Sequence, residues 1–252
     1  MEYQINFHDG GEVVLDFNED KHVYKIEGEY VPSVTTILNT ISKPALLPWA
    51  VKMGADWFSD NCEAFTQATL SVDEVVKGIK GAYRKKSQDA MNIGNIVHQW
   101  CEDAIQWKMG VGEIPDMPED TQAVTAINAF RNWIGTREIK WIAAEQKLYN
   151  RKYKYAGTVD AVAEIDGAFC VIDFKTSAAV YDEYYLQCAA YAEAIQDMYG
   201  REVDSAWVLR FDKRTGKFEA KDSEEHDENF SGFYGAMLLY SRLTALKNRK
   251  KR

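Results

Sequence analysis

The sequence predicts a mixed α/β fold of the α+β kind, with a central mixed β-sheet flanked by helices. Three observations carry that expectation. The stretch GTVDAVAEIDGAFCVIDFKT, residues 157–176, reads as two strands rich in β-branched, small apolar and aromatic residues, joined across Asp166-Gly167. Segments with apolar residues at helical spacing lie on both sides of it, over about 88–107, 118–135 and 179–199. Further strand-like runs stand before it at 139–149 and after it at 203–211 and 217–221.

From the N-terminus, residues 3–31 read as short antiparallel strands. Val13 to Phe17 and His22 to Ile26 flank the turn-like Asn18-Glu19-Asp20, and Glu27-Gly28-Glu29 makes a further turn. Ser33 is placed to cap a short helix. The hydroxyls of Ser33, Thr35 and Thr36 read as capping and packing groups, with phosphate binding as the alternative. Residues 44–60 form a helix with Leu46, Trp49, Met53 and Trp57 as its apolar stripe. Ser71-Val72-Asp73-Glu74 is a capping-box pattern that opens a basic helix to about Lys86. The next helix runs from about Gln88 to Trp107, with Ile93, Val97, Trp100, Cys101 and Ile105 turned inward. His98 stands one turn after Gly94 on it, and Glu102 one turn further on the same face.

A loop rich in Gly and Pro leads to a helix over 118–135 that packs through Val124, Ile127, Phe130, Trp133 and Ile134. The strand over 139–149 carries Glu145. After the hairpin, the helix over 179–199 has Tyr184, Cys188, Tyr191, Ile195 and Met198 as its core stripe, with Gln187 and Tyr191 one turn apart. A hairpin across 212–216 and a helix over about 225–247 complete the chain.

Length and composition bound the rest. With 252 residues, 46% hydrophobic and 27% charged, the chain is expected to be one large domain, 1–252. Within it, 1–90 holds the N-terminal strands and helices, 91–200 the core with the chemistry, and 201–252 the last hairpin and helix. No apolar run nears the roughly 20 residues that span a bilayer, and MEYQINFHDGGE lacks the pattern of a secretory signal. An intracellular, cytoplasmic protein without a membrane partner is the expectation. The net charge of −9 argues mildly against a nucleic-acid partner without excluding one, because a basic groove can sit on an acidic body. Basic runs are present at Lys77, Lys80, Arg84, Lys85 and Lys86, at Lys147, Arg151, Lys152 and Lys154, and at Lys247 to Arg252. Each reads first as a solvated face or tail. The four cysteines, Cys62, Cys101, Cys170 and Cys188, form no C-x-x-C and read as buried intracellular thiols.

The chemistry is concentrated in the central hairpin. Asp-Gly favours a two-residue type I′ turn, because Gly takes positive φ at little cost. Counted back from Ile165 opposite Ala168, such a turn sets Val162 against Val171, Asp160 against Asp173 and Thr158 against Lys175. Side chains alternate with period two, so Asp160, Asp173 and Lys175 share one face. Carboxylates directly across a ladder have Cβ atoms about 4.5–5.5 Å apart and repel one another. A divalent cation relieves that repulsion, and Mg²⁺ prefers oxygen ligands of this kind. Spacing alone leaves a second reading open, a hairpin whose aspartates simply face water.

Four elements in order resemble the RecB-like branch of the PD-(D/E)xK nuclease superfamily. They are Gly94 and His98 on a helix, Gly157-Thr158-Val159-Asp160, Ile172-Asp173-Phe174-Lys175-Thr176, and Gln187-Cys188-Ala189-Ala190-Tyr191. The family pattern is a helical histidine after a glycine, then G-x-[VI]-D, [VI]-D-[FY]-K-T and Q-x-x-x-Y. The Asp-x-Lys pair alone is a weak pattern, whereas the ordered set is specific. Val31-Pro32-Ser33-Val34-Thr35-Thr36-Ile37-Leu38, with Leu47-Pro48-Trp49-Ala50, is similar to the start of phage-type RecB-like exonucleases and of the mitochondrial genome maintenance exonuclease.

The resemblance implies a restriction-endonuclease-like core and a Mg²⁺- or Mn²⁺-dependent deoxyribonuclease. The N-terminal match implies an exonuclease, serving phage or bacterial DNA recombination or repair beside a recombination or single-strand-annealing partner protein. His98, Asp160, Asp173 and the backbone carbonyl of Phe174 would hold the metal. Asp160, Asp173 and Lys175 would be the catalytic set, with Lys175 positioning or deprotonating the attacking water. Glu145 matches an acidic residue that supports the site ahead of the first aspartate, an ordinary exposed strand glutamate being the alternative. Gln187 and Tyr191 would orient the site or the strand, Ser33 and Thr35 could bind phosphate, and Glu102 is a weaker supporting candidate. Relatives with an iron–sulfur cluster group their cysteines after the Q-x-x-x-Y helix; no cysteine follows Cys188, so no cluster is expected. Two other functions stay open: a structure-selective or restriction-type endonuclease, and a DNA-binding subunit with a vestigial site.

Overall fold

A computed structural model describes residues 1–213 and 215–249. Lys250, Lys251 and Arg252 of the basic terminal run lie outside the described residues, as does Arg214 of the last hairpin. The described residues form a mixed α/β fold with two sheets and six helices. None of those helices is long and apolar enough to cross a membrane. The chain divides into two compact units, one made of Met1–Ile41 with Ile96–Arg252 and the other of Ser42–Asn95.

The larger unit opens with an antiparallel meander of β1 (Glu2–Asn6), β2 (Glu12–Asn18), β3 (Val23–Ile26) and β4 (Glu29–Val31). Its apolar positions Leu15, Phe17, Tyr24 and Ile26 are buried, as alternation on a half-covered sheet requires. Ser33 then caps α1 (Val34–Leu38), its hydroxyl accepting from the Thr36 N–H at 3.1 Å. The same segment is stitched to the second sheet. The Ala156 N–H donates to the Pro32 carbonyl at 3.0 Å, and Ser33 bridges Ala156 in parallel.

The second sheet has the order β5 (Ile139–Asn150), β6 (Tyr155–Ile165), β7 (Ala168–Lys175), β8 (Ser205–Phe211) and β9 (Phe218–Asp222). It is mixed because β7 and β8 run parallel, joined through α5 (Asp182–Tyr199), while the other neighbours are antiparallel. The turn between β6 and β7 has φ of 50° at Asp166 and 90° at Gly167, the two positive values of a type I′ turn. The pairing matches the counted register from Ile165↔Ala168 to Ala161↔Ile172.

Beyond that point the count fails: Asp160 does not pair with Asp173, nor Thr158 with Lys175. β6 continues along β5 while β7 continues along β8. The Asp160 carboxylate, not a strand carbonyl, accepts the Phe174 N–H at 2.5 Å. A direct pair would have set two acids face to face, whereas here one acid caps the neighbouring strand with a charge-assisted bond.

On one side of this sheet lie α5 and α6 (His226–Arg249), α5 packing on β5, β7, β8 and α6. Tyr191, Cys188, Ile195 and Met198 are buried there with Val171 and Val208. α4 (Thr121–Ile134) contacts β8 and β9, and its Phe130 ring meets those of Phe174 and Phe211 at 5.5 and 5.8 Å. Asp120 caps α4 by accepting from the Gln122 and Ala123 N–H groups.

The smaller unit holds α2 (Leu46–Thr66) and the first part of α3 (Val72–Lys108). The capping box forms, Ser71 and Glu74 bonding each other reciprocally. The two helices approach through glycines. A Cβ on Gly54 would meet Ile79 at 3.0 Å, and one on Gly78 would overlap the Trp57 ring at 2.1 Å. Three expectations are corrected here. Cys62, read as a buried thiol, is exposed on α2. Leu46 is 55% exposed and no part of a buried stripe, because it sits at the first turn of α2 ahead of the crossing. The two helices expected at 71–86 and 88–107 are one 37-residue helix, since Lys85-Lys86-Ser87-Gln88 contains neither glycine nor proline to stop it.

Candidate metal centre

Three side chains converge where β6 and β7 part. His98 comes from α3, Glu145 from β5 and Asp160 from β6, and their ligand atoms all lie within 4.8 Å of one another. His98 Nδ1 is 3.6 Å from Asp160 Oδ1, and the imidazole stands edge-on to the Phe174 ring with centroids 6.0 Å apart. Glu145 reaches the cluster through local irregularity. The β5–β6 register shifts between Trp141 and Ala143, and Glu145 itself has φ of 47°. The flanking pairs Ala144↔Ala161 and Gln146↔Val159 leave Glu145 opposite Asp160.

Asp173 stands outside that three-residue group but lines the same cleft, of about 180 Å³. It is buried, with the Lys175 ammonium ion-paired against its Oδ2. The Lys175 ammonium also lies over the Tyr184 ring, 4.9 Å from its centroid. Gln187 Nε2 donates to the Tyr191 hydroxyl at 2.8 Å, and both residues line the cleft. Gly157 makes this possible: a Cβ there would meet Tyr191 at 3.1 Å and Leu148 at 3.3 Å. Ser33 and Thr35 line the cleft too, brought there by the bridge to Ala156. Their hydroxyls lie 3.1 Å apart, and Ser33 Oγ also bonds Thr36 Oγ1 at 2.8 Å. Glu102 is near but separate, held by Gln106 at 2.9 Å and Gln99 at 3.2 Å. The Phe174 backbone N–H is spent on Asp160.

The electrostatics follow from burying so much charge together. Burial pushes the Glu145 carboxyl up to about 7, with the Asp160 charge adding to the rise and Lys147 opposing it. Burial likewise pushes Asp173 up to about 6, against the pull of Lys175. At Asp160 burial acts upward, but the His98 ring, Lys175 and the Phe174 N–H outweigh it and hold the carboxyl below its ordinary value. Burial disfavours the cations of His98 and Lys175, and the facing aspartates reverse that, so both are raised. An imidazole and two carboxylates gathered this closely form a group able to hold a metal ion, with a third acid and an ammonium alongside.

Two lining residues fall outside every motif quoted from the sequence: His22 and Tyr24. The Tyr24 hydroxyl lies 2.9 Å from Thr158 Oγ1, and burial pushes its pKa up to about 12. Nothing in the β3 pattern distinguishes a cleft tyrosine from a core one. Arg210 was equally illegible. It is buried in β8, bonds Glu219 at 2.6 Å and donates to the Ser177 and Ala178 carbonyls, pinning the loop that follows Lys175. Among the basic residues near the hairpin, Arg151 binds Asp197 and Asp9 within the protein while its side chain stays partly exposed.

No protein-family model matches the chain, and no curated protein matches it. A solved structure titled "Crystal structure of SSO0001" aligns over 58% of this chain and 74% of its own, at 12% identity and a TM-score of 0.26. At that score the likeness carries no argument.

Proposed function

We propose that the protein is a metal-dependent deoxyribonuclease of the RecB-like PD-(D/E)xK kind, acting as an exonuclease. The observation that carries the reading is the junction of His98, Glu145 and Asp160 with the Asp173–Lys175 ion pair beside it. The motif order from Gly94 to Tyr191 supplies the rest. His98, Glu145 and Asp160 would hold Mg²⁺ or Mn²⁺, with Asp173 next to them. A cation bound there polarises a phosphodiester and lowers the pKa of bound water.

The side chains account for the remaining work. Lys175, fixed by Asp173 and the Tyr184 face, opposes the negative charge that grows on the phosphate during attack. The Phe174 N–H bond holds Asp160 in place, so no reorganisation is needed when substrate enters. Thr35 offers its hydroxyl to a phosphate oxygen, Ser33 holds the segment by bonding Thr36, and Gln187 with Tyr191 supports the cleft wall. DNA recombination or repair in a phage or bacterium is the setting the resemblance suggests.

The test uses end-labelled linear and covalently closed circular DNA with Mg²⁺ or Mn²⁺. Loss of linear DNA with circles spared is expected. Cut circles would replace the exonuclease with an endonuclease, and no cleavage of either would refute the nuclease reading.

A further inference from the structure

Outside the cleft, a groove of about 1030 Å³ runs between α3, α4 and β5. Three tryptophans line it, Trp100, Trp107 and Trp141. Its charge is opposite to that of the chain. Lys108, Arg131, Arg137 and Lys140 face one carboxylate, Asp116, in a protein of net charge −9. Arg137 and Lys140 are paired with Asp166 and Glu164 at 2.8 and 3.1 Å. Lys108 and Arg131 make no ion pair among the described residues, and the Lys108 ammonium lies 4.8 Å from the Trp107 ring centroid. Trp107 is 38% exposed although it is a large apolar ring. Trp100 is held in orientation by its Nε1–H, which donates to the Asp116 carbonyl at 3.1 Å.

Two buried rings separate the groove from the His98 cluster. Phe130, which lines the groove, packs on Phe174 at 5.5 Å, and Phe174 packs on His98 at 6.0 Å. α3 itself supplies His98 to the centre and Trp100, Trp107 and Lys108 to the groove.

We propose that this groove binds single-stranded DNA. Bases stack on Trp107 and Trp141, and phosphates lie against Lys108 and Arg131. The strand held there is that of the nuclease's own substrate, a proposal that rests on the nuclease reading. Aromatic faces accept any base, and unpaired cations track the backbone, so binding there is tolerant of sequence and sensitive to salt.

The experiment measures anisotropy of a fluorescent thymidine 20-mer on the full chain carrying Lys175→Ala, so that cleavage does not intrude. Trp107→Ala and Arg131→Glu are each expected to weaken binding by roughly tenfold. Arg131→Glu is also expected to flatten the dependence of log affinity on log salt by about 0.7 or more. Trp107→Phe, which keeps a stacking face, should retain most of the affinity, and circular dichroism with unchanged Mn²⁺ binding checks that each variant folds. Lys108→Glu is the second charge variant. No binding of the oligonucleotide, or equal binding by all variants, overturns the groove. Groove-dependent binding by a wild-type chain that never cuts DNA leaves the groove standing and sinks the nuclease reading. Cleavage by variants that bind like wild type does the reverse.

Discussion

Glu145 shows how a single side chain's role depends on the backbone next to it. Trp141 and Glu145 are four apart, so an unbroken strand would put both on one face. The register shift between Trp141 and Ala143 reverses the alternation. Trp141 then meets Phe130 with centroids 6.4 Å apart, while Glu145 enters the cluster with His98 and Asp160. Asp160, Asp173 and Lys175 were legible in the sequence because their own alternation is regular. The place of Glu145 in the cluster with His98 and Asp160 was not legible, because nothing in Trp141-Ile142-Ala143-Ala144 announces a bulge. Lys175→Ala is expected to bind DNA without degrading it, as read by gel shift alongside release of labelled nucleotide; full activity would refute the assigned role. Gly157→Ala places a methyl 3.1 Å from Tyr191 and 3.3 Å from Leu148, both packed. Overpacking of that kind costs about 1–3 kcal/mol, which a lowered urea midpoint at unchanged slope would register.

At the scale of elements, the β6–β7 hairpin behaved as its turn dictated until a charge intervened. Asp166-Gly167 set the register, and it holds through Ala161↔Ile172. The Asp166 carboxylate reinforces the turn by accepting from the Glu138 N–H at 3.1 Å and pairing with Arg137 at 2.8 Å. Gly167 has φ of 90° with open space where a Cβ would go. Gly167→Ala therefore loses stability through backbone strain alone, by roughly 1–2 kcal/mol, and a thermal melt should show the drop without loss of metal binding. α3 teaches the converse lesson. Its capping box was readable because three bonds depend on two residues, Ser71 and Glu74. Its continuity was not, because two shorter apolar stripes look the same whether or not the helix between them breaks.

At the scale of the whole molecule, distant segments of the larger unit are tied by one guanidinium. Arg151, after β5, bonds Asp197 of α5 and Asp9 of the loop after β1 at 2.6 and 2.8 Å. It also stacks on Phe7, 3.9 Å from the ring centroid. The bond from Arg151 holds the Asp9 carboxyl below its usual value. A depressed folded-state pKa contributes stability above the unfolded value of about 3.9, and that contribution is lost as pH falls through the folded value. Asp9→Asn should thus be less stable than wild type at pH 7, and the gap in denaturation midpoint should close in strong acid. A gap that persists there would show that the ion pair is not its source.

The linear order of residues determined which elements form, the turn that registers the central hairpin, and the presence of two acids and a lysine on its strands. These depend on short-range chemistry: alternation, helical periodicity, capping and the positive φ of Asp-Gly. Tertiary structure decided the membership of the cleft. Ser33 arrives there by a bridge to Ala156, Tyr24 through the N-terminal sheet, Glu145 by a bulge and His98 on a helix. Each is placed by contacts with segments far along the chain, and no local pattern encodes the distance between two side chains that only packing brings together.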